Sequence, residues 1–392
     1  MTTAADRKLT FRDGIRRIAE EVAAPAADEV DRDARFPDEA LQALRERGAL
    51  SAYVPASHGG EGVSFTEIAN ACYELSRGCA ATGMIYAMHQ IEVASIVRHG
   101  IGATFFDAYL ADLVAEQRLI ASATSEVGVG GDLRSSIAAA TPDGAEVVFE
   151  KQAPTVSYGT QADDLLTTVR RSPDAEPGDQ VLVLTRGEEA TLEQTSTWDP
   201  LGMRGTCSPG YIVRARITPD HVLPAPFAEI AAQTMVPVTH ILWAQVWLGI
   251  AAAAYDRARA FVRRQARDAP GGGVPPAARR LSALAVELQA MRAEITAATD
   301  DYATMTGSGA HPDDVFTLGY AIRINALKIS ASERVALICR DALGICGIAG
   351  YKNDTPFSVG RHLRDALSAT LMIANDRIHA TNAALLLVHK TG

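Results

Sequence analysis

The spacing of apolar residues changes twice along this chain, and that restricts its architecture more than any single motif. From residue 1 to about 118, and again from about 225 to 392, apolar residues recur at helical spacing. Between 119 and about 222 they fall into short strand-like runs instead, EVVFE, DLLTTV, QVLVL and YIVRARI, separated by turns such as SPDAEPGD. Local signals agree with this division. Pro37 and Gly48 bracket the helical segment PDEALQALRERG. Ser64 and Glu67 make a capping-box pattern ahead of a helix through Ile68, Cys72 and Leu75. Long periodic segments at 236–267, 277–306 and 313–345 are broken at DAPGGGVPP and TGSGAHPDD. The expectation is an α+β protein in three parts, with a helical domain over 1–118, a β domain over 119–224 and a helical bundle over 225–392.

Composition excludes several classes. At 392 residues the chain is too long for one simple core. A hydrophobic share of 47% with mixed charge marks it as globular. A net charge of −10 argues against nucleic acid as a partner. The five cysteines show no CxxC and no metal-ligand spacing, so reduced thiols, a cytoplasmic setting and no metal site are expected. The segment MTTAADRKLTFRDG has no apolar core and does not read as a signal peptide. The apolar stretch Ile241 to Tyr255, interrupted by Gln245, is too short to span a bilayer and reads as a buried helix. No membrane insertion is expected.

Residues 122–133 read SATSEVGVGGDL. Such glycines let backbone N–H groups approach a ligand, and Ser and Thr hydroxyls add donors. By itself this is also how an ordinary strand-end loop looks. Three other segments accompany it in order. They are VPASHGGEG at 54–62, PLGMRGT at 200–206 followed by YIVRARI and TPDHVLP, and ALGICGIAGY at 342–351 followed by PFSVGRHLRDA. Together the four resemble the acyl-CoA dehydrogenase flavoprotein superfamily, from about residue 10 to 390.

The resemblance implies an N-terminal helical domain, a central β-barrel-like domain and a C-terminal four-helix bundle. It also implies FAD between the β domain and the bundle. Thr124, Ser125, Gly130 and Gly131 would border the flavin ring and pyrophosphate, and Thr155 would lie near the reactive edge. Arg263, Gly347 and Ile348 would meet the adenine end of a neighbouring subunit's cofactor, which implies a homodimer or homotetramer. The aliphatic run Ala383–Val388 in the last helix also calls for cover. Other readings of these residues are plain: Arg263 as a solvated helix charge, and the CGIAG turn as a helix C-cap.

Several positions depart from the family pattern. Ala153 stands where a Trp usually packs on the flavin, Gly344 where the bundle turn usually begins with Gln, and Ala266 and Arg267 where Phe-Gly usually follows the Gln. The larger departure concerns the base that takes the α-proton of an acyl thioester. Counted without gaps from Arg364-Asp365-Ala366, the usual Glu–Gly falls on Ile373–Ala374; the alternative site on the first long bundle helix falls on Thr239 or His240. Asp376 is the nearest carboxylate, read either as a displaced base or as a cap of the last helix. His89 and Glu92, on a helix expected to line the substrate pocket, are further candidates, with a satisfied core histidine as the other reading of His89.

The sequence therefore implies a flavin-dependent oxidoreductase that dehydrogenates an acyl thioester on CoA or a carrier protein, with Asp376 and His89 as its catalytic pair. The alternative is a monooxygenase on the same fold that uses reduced flavin to hydroxylate nitrogen, carbon or sulfur. The first implies an electron-transfer flavoprotein as partner, the second a flavin reductase. Arg134, Arg170, Arg171, Arg214 and Arg216 are loose candidates for a basic entrance, better read as solvated charges.

Overall fold

The computed structural model describes residues 10–129, 132–269, 273–307 and 316–389. Thr10 opens helix α1 (Phe11–Ile18), its Oγ1 accepting the Asp13 N–H at 3.2 Å. Helices α2 (Ala24–Asp33), α3 (Asp38–Arg47), α4 (Phe65–Gly78), α5 (Ala80–His99) and α6 (Thr104–Glu116) follow. Gly48 ends α3 at φ 74°, a left-handed conformation that glycine adopts without a Cβ penalty. The Ser64–Glu67 capping box is formed at the start of α4. Helix α5 is apolar all round and buried along almost its whole length, which places it in the interior rather than on a surface. It packs against the first strand and against the first long bundle helix.

Among the described residues seven strands come next: β1 (Ile120–Ala123), β2 (Thr141–Asp143), β3 (Glu146–Ala153), β4 (Asp164–Arg170), β5 (Gln180–Arg186), β6 (Ala190–Gln194) and β7 (Tyr211–Ile217). They form two sheets, β1-β4-β5 and β2-β3-β7-β6, where the resemblance implied a barrel-like arrangement. β1 runs parallel to β4, with Ser122 opposite Leu166. The short β2 and β6 had no strong apolar alternation to announce them; both are exposed edge strands.

The described residues that follow are mainly helical. After α7 (Phe227–Ile230) come α8 (Val236–Asp268), α9 (Ala277–Met305), α10 (Leu318–Cys346), the short α11 (Ile348–Tyr351), α12 (Gly360–Leu367) and α13 (Asn375–Val388). The 227–268 segment is apolar enough by composition to cross a membrane, yet 89% of its most apolar stretch is buried inside the protein. α8 and α10 run parallel, with the His240 Nδ1–H donating to Ile324 O at 3.2 Å. α9 runs against both, through Gln245 to Thr299 and Ser330 to Glu294.

The PLGMRGT turn joins the three parts. The Met203 N–H donates to Asp365 Oδ1 at 2.7 Å. A Cβ on Gly202 would stand 2.1 Å from Arg364 O, and one on Gly205 2.3 Å from Val30. Arg364 pairs with Asp31 at 2.8 Å. Two of the segments that carry the resemblance are thus a structural joint.

Candidate active site

Strand β1 ends at Ala123, and the side chains of Ser122 and Thr124 leave the chain on one side. Ser125 then turns back, its hydroxyl donating to Thr155 O at 3.0 Å, and Val127 N–H donates to Gln152 O at 2.9 Å. These bonds bring Thr124, Ser125 and Thr155 to one rim, with Thr155 exposed and the other two half-buried. Gly128 takes φ 96° in the turn that follows. Gly130 and Gly131 lie outside the described residues. Ala153 is buried on the same face of β3 as Phe149 and Lys151.

A buried ion pair that sequence reasoning missed fastens this loop. Lys151 Nζ donates to Thr168 O and Oγ1 at 2.7 and 2.8 Å and lies 3.6 Å from Glu126 Oε2. Glu126 accepts from Ser136 Oγ and from the N–H groups of Ile137 and Ala138, at 2.7, 3.1 and 2.7 Å. Burial pulls the Lys151 ammonium down to about 8, and Glu126 opposes that shift. A single Lys on a strand and a single Glu in a loop carry no pairing signal in sequence.

The opposite wall is the turn between α12 and α13. Ile373 sits there at φ 55°, unusual for a β-branched residue. Beneath it Lys328, buried in α10, donates to Ile373 O at 2.6 Å, Asn375 Oδ1 at 2.7 Å and Ala369 O at 3.2 Å. Its ammonium also lies 5.8 Å from the Trp247 ring centroid. Asp376 is exposed in the first turn of α13, whose N-cap position is Ala374. It is neither the cap residue nor a carboxylate in a dry pocket. Arg377 stands close enough to Asp132 to help hold that carboxylate below its usual range, where the Arg134 hydrogen bond is the larger cause. The turn therefore approaches the loop after β1. Thr239 and His240 are buried on α8, and burial brings His240 down to about 4.

His89 is fully buried on α5. Its Nε2–H donates to Leu50 O at 2.8 Å and its Nδ1 accepts the Ile120 N–H at 3.0 Å. Burial lowers it to about 4. Both ring nitrogens are spent on backbone, so the expectation of His89 as a catalytic group gives way to the core histidine. One turn on, Glu92 is 2% exposed and its Oε2 has no hydrogen-bond partner. Burial raises its carboxyl to about 8, and Ser122 is the polar neighbour that opposes the shift.

The residues expected at the adenine end are elsewhere. Arg263 is exposed on the last turns of α8, Gly347 takes φ 58° after α10, and Ile348 is 73% exposed. They share one end of the bundle, where Phe261 meets Phe357 at 5.4 Å and Arg280 donates to Gly344 O at 3.0 Å. About two thirds of α10, from Lys328 to Gly347 and about 28 Å at 1.5 Å per residue, separates this end from the Ile373 turn. One chain does not bring the two halves of the expected cofactor set together. The arginines considered for a basic entrance are occupied: Arg134 pairs with Asp132, Arg171 with Asp179, Arg214 with Glu150 and Glu193, and Arg216 with Glu146 and Asp143. Arg170 donates to the carbonyls of Ile137, Pro173 and Ala175.

A helical part, a two-sheet part and a helical bundle meeting around a hydroxyl-lined loop define an enzyme fold of the flavoprotein type. The acyl-CoA dehydrogenase N-terminal domain matches residues 5–115 and the acyl-CoA dehydrogenase C-terminal domain matches residues 230–384. The chain belongs to the acyl-CoA dehydrogenase family of flavin-dependent oxidoreductases. Probable acyl-CoA dehydrogenase FadE25 of Mycobacterium tuberculosis is 26% identical over 360 residues, 91% of this chain and 89% of that protein. Among solved structures, FMN-bound TdsC from Paenibacillus sp. A11-2 superposes with a TM-score of 0.85 at 21% identity, covering 97% of this chain and 98% of TdsC. KijD3 in complex with dTDP superposes at 0.81 with 23% identity, covering 99% and 100%.

Proposed function

We propose that this protein is a flavin-dependent monooxygenase acting on a small molecule. The observation that carries the reading is the turn before α13. Ile373 and Ala374 stand where the family's base is expected, Asp376 is exposed, and the polar group beneath is the Lys328 ammonium. Removing an α-proton from a thioester requires a poised carboxylate in a dry pocket. Oxygen insertion requires no such group; it requires a bound substrate and exclusion of water. The likeness in fold to TdsC, a dibenzothiophene monooxygenase, supports the same reading.

A flavin would fit the rim at Thr124, Ser125 and Thr155, whose half-buried and exposed hydroxyls would offer it hydrogen bonds. When bound and reduced, it supplies the electrons that activate O₂. The chain's own part is positional. Lys151 and Glu126 hold the loop, and Lys328 holds the turn opposite. FAD would need Arg263, Gly347 and Ile348 of a second copy, because one chain separates the two sets. Hence a homodimer or homotetramer goes with FAD, whereas FMN, as TdsC holds, needs none of the three. A flavin reductase would supply the reduced cofactor.

The sequence relatives favour the second reading, acyl-thioester dehydrogenation with Asp376 as base and an electron-transfer flavoprotein as partner. One experiment separates the two. The purified protein is loaded with flavin, the released flavin is identified, and anaerobic samples are mixed with a panel of acyl-CoA thioesters. No bleaching, with product formed from amines, phenols or sulfur compounds only when reduced flavin and O₂ are supplied, supports monooxygenation. Anaerobic bleaching by a thioester overturns it.

A further inference from the structure

Helix α5 and strand β1 run side by side, and their polar groups meet in order. His89 faces the backbone of Leu50 and Ile120. Glu92, one turn later, faces Ser122, two residues further along the strand. Two more residues, about 6.6 Å at 3.3 Å per residue of extended chain, lead to Thr124 on the same side. The seam thus descends from the flavin rim to Glu92.

The neighbours of Glu92 leave it unsatisfied. The Tyr158 hydroxyl, which is close enough to feel its charge, donates to Ile120 O at 3.1 Å. The Ser122 hydroxyl is oriented toward Thr124 Oγ1 at 3.5 Å. Glu92 Oε2 has no partner although the side chain is 98% buried, counted from its 2% exposure. An orphaned buried carboxyl oxygen costs stability that folding alone does not recover, and apolar residues of similar volume would fill the space at less cost. Such groups persist where a ligand completes them.

Resting on the reading of this cleft as the active site, we propose that Glu92 is a substrate-recognition residue. It accepts a hydrogen bond from an N–H or O–H of the substrate at the inner end of the cleft, so the substrate class is small amines or hydroxyl compounds. Oε2 has no partner, the neighbouring hydroxyls being directed to Ile120 O and Thr124 Oγ1, and a neutral carboxyl both donates and accepts, which suits an amine or hydroxyl that does the same. A substrate lacking that donor would leave the carboxyl unpaired in a desolvated place. Sites built to hydrogen-bond a substrate hydroxyl or amine reject the analogue without it strongly.

The test is a binding experiment, independent of turnover. Flavin-loaded wild type, Glu92→Leu and Glu92→Gln are titrated anaerobically with phenol and benzylamine, and with anisole and benzyltrimethylammonium, which carry no O–H or N–H donor. Perturbation of the flavin absorbance reports binding. The expected result is that wild type prefers the donor-bearing partner of each pair by more than about 30-fold, that Glu92→Leu levels both pairs, and that Glu92→Gln keeps an intermediate preference. Equal binding of both members by wild type, or an undiminished preference in a folded Glu92→Leu, overturns the proposal. Bleaching by thioesters is read separately, so failure of the monooxygenase reading does not mimic failure of Glu92.

Discussion

The two walls of the cleft are held by lysines of opposite logic. On the strand wall Lys151 shares its burial with a carboxylate, and the pair fastens the loop whose hydroxyls form the rim. On the bundle wall the Lys328 ammonium hydrogen-bonds, among the described residues, to carbonyl oxygens and the Asn375 amide with no carboxylate in hydrogen-bond reach, and the turn it fastens carries no buried acid. The comparison teaches that the loop expected to meet the cofactor is fastened by a charge pair, while the turn expected to carry a base is fastened by a cation hydrogen-bonded only to neutral groups among the described residues. A buried ammonium beneath Ile373 would stabilise a carboxylate there, yet the residues supplied are Ile and Ala.

Breaking each wall should give unequal effects. Glu126→Ala leaves Lys151 buried and unpaired and should destabilise the protein by about 3–5 kcal/mol; thermal unfolding and flavin retention would both register it. A loss below 1 kcal/mol would show that the loop is held by its backbone bonds alone. Lys328→Met removes the donor shared by three acceptors and should cost about 2–3 kcal/mol. Flavin retention should fall less than in Glu126→Ala, because the rim is untouched; equal loss would erase the distinction between the walls.

Glu92 adds a pH-dependent contrast. Its folded carboxyl keeps the proton up to about 8, whereas an unfolded Glu releases it near 4.3. The folded state therefore binds more protons across that window, and stability falls as pH rises through it. With Ser122 and Tyr158 as its polar neighbours, Glu92→Gln should gain Tm relative to wild type between pH 5 and 8. A constant difference would mean that the carboxyl ionises normally. The smallest effect belongs to Asp376→Asn. An exposed side chain that takes no part in proton removal should change turnover by less than about twofold, and a drop of several orders of magnitude in flavin reduction would restore the dehydrogenase reading.

Much of the fold was legible because periodicity reports burial. The helical and strand-like runs, the Ser64–Glu67 box and Gly48 all stand where the pattern puts them. β2 and β6 were not legible, since exposed edge strands carry no alternation. The site was legible only as segments. Ser125 and Thr155 meet, but 29 residues intervene and a single hydrogen bond makes the meeting. His89 read as chemistry until its two backbone partners were known. Glu92 was a candidate from its place on the helix, whereas Lys328 drew no notice; what sets them apart in the structure is a partner absent in one case and three partners present in the other.

The joint at Gly202 has a mechanical consequence. Backbone rests on backbone there, with Met203 clipped to Asp365 and Arg364 to Asp31, so residues 31, 202–203 and 364–365 act as a keystone. A keystone transmits load without yielding. The jaws of such a vessel do not swing shut on their contents, and its aperture is cut by side chains. Guests should then be sorted as by a gauge, with a sharp size limit that shifts when one lining residue is trimmed and stays put when loops are lengthened.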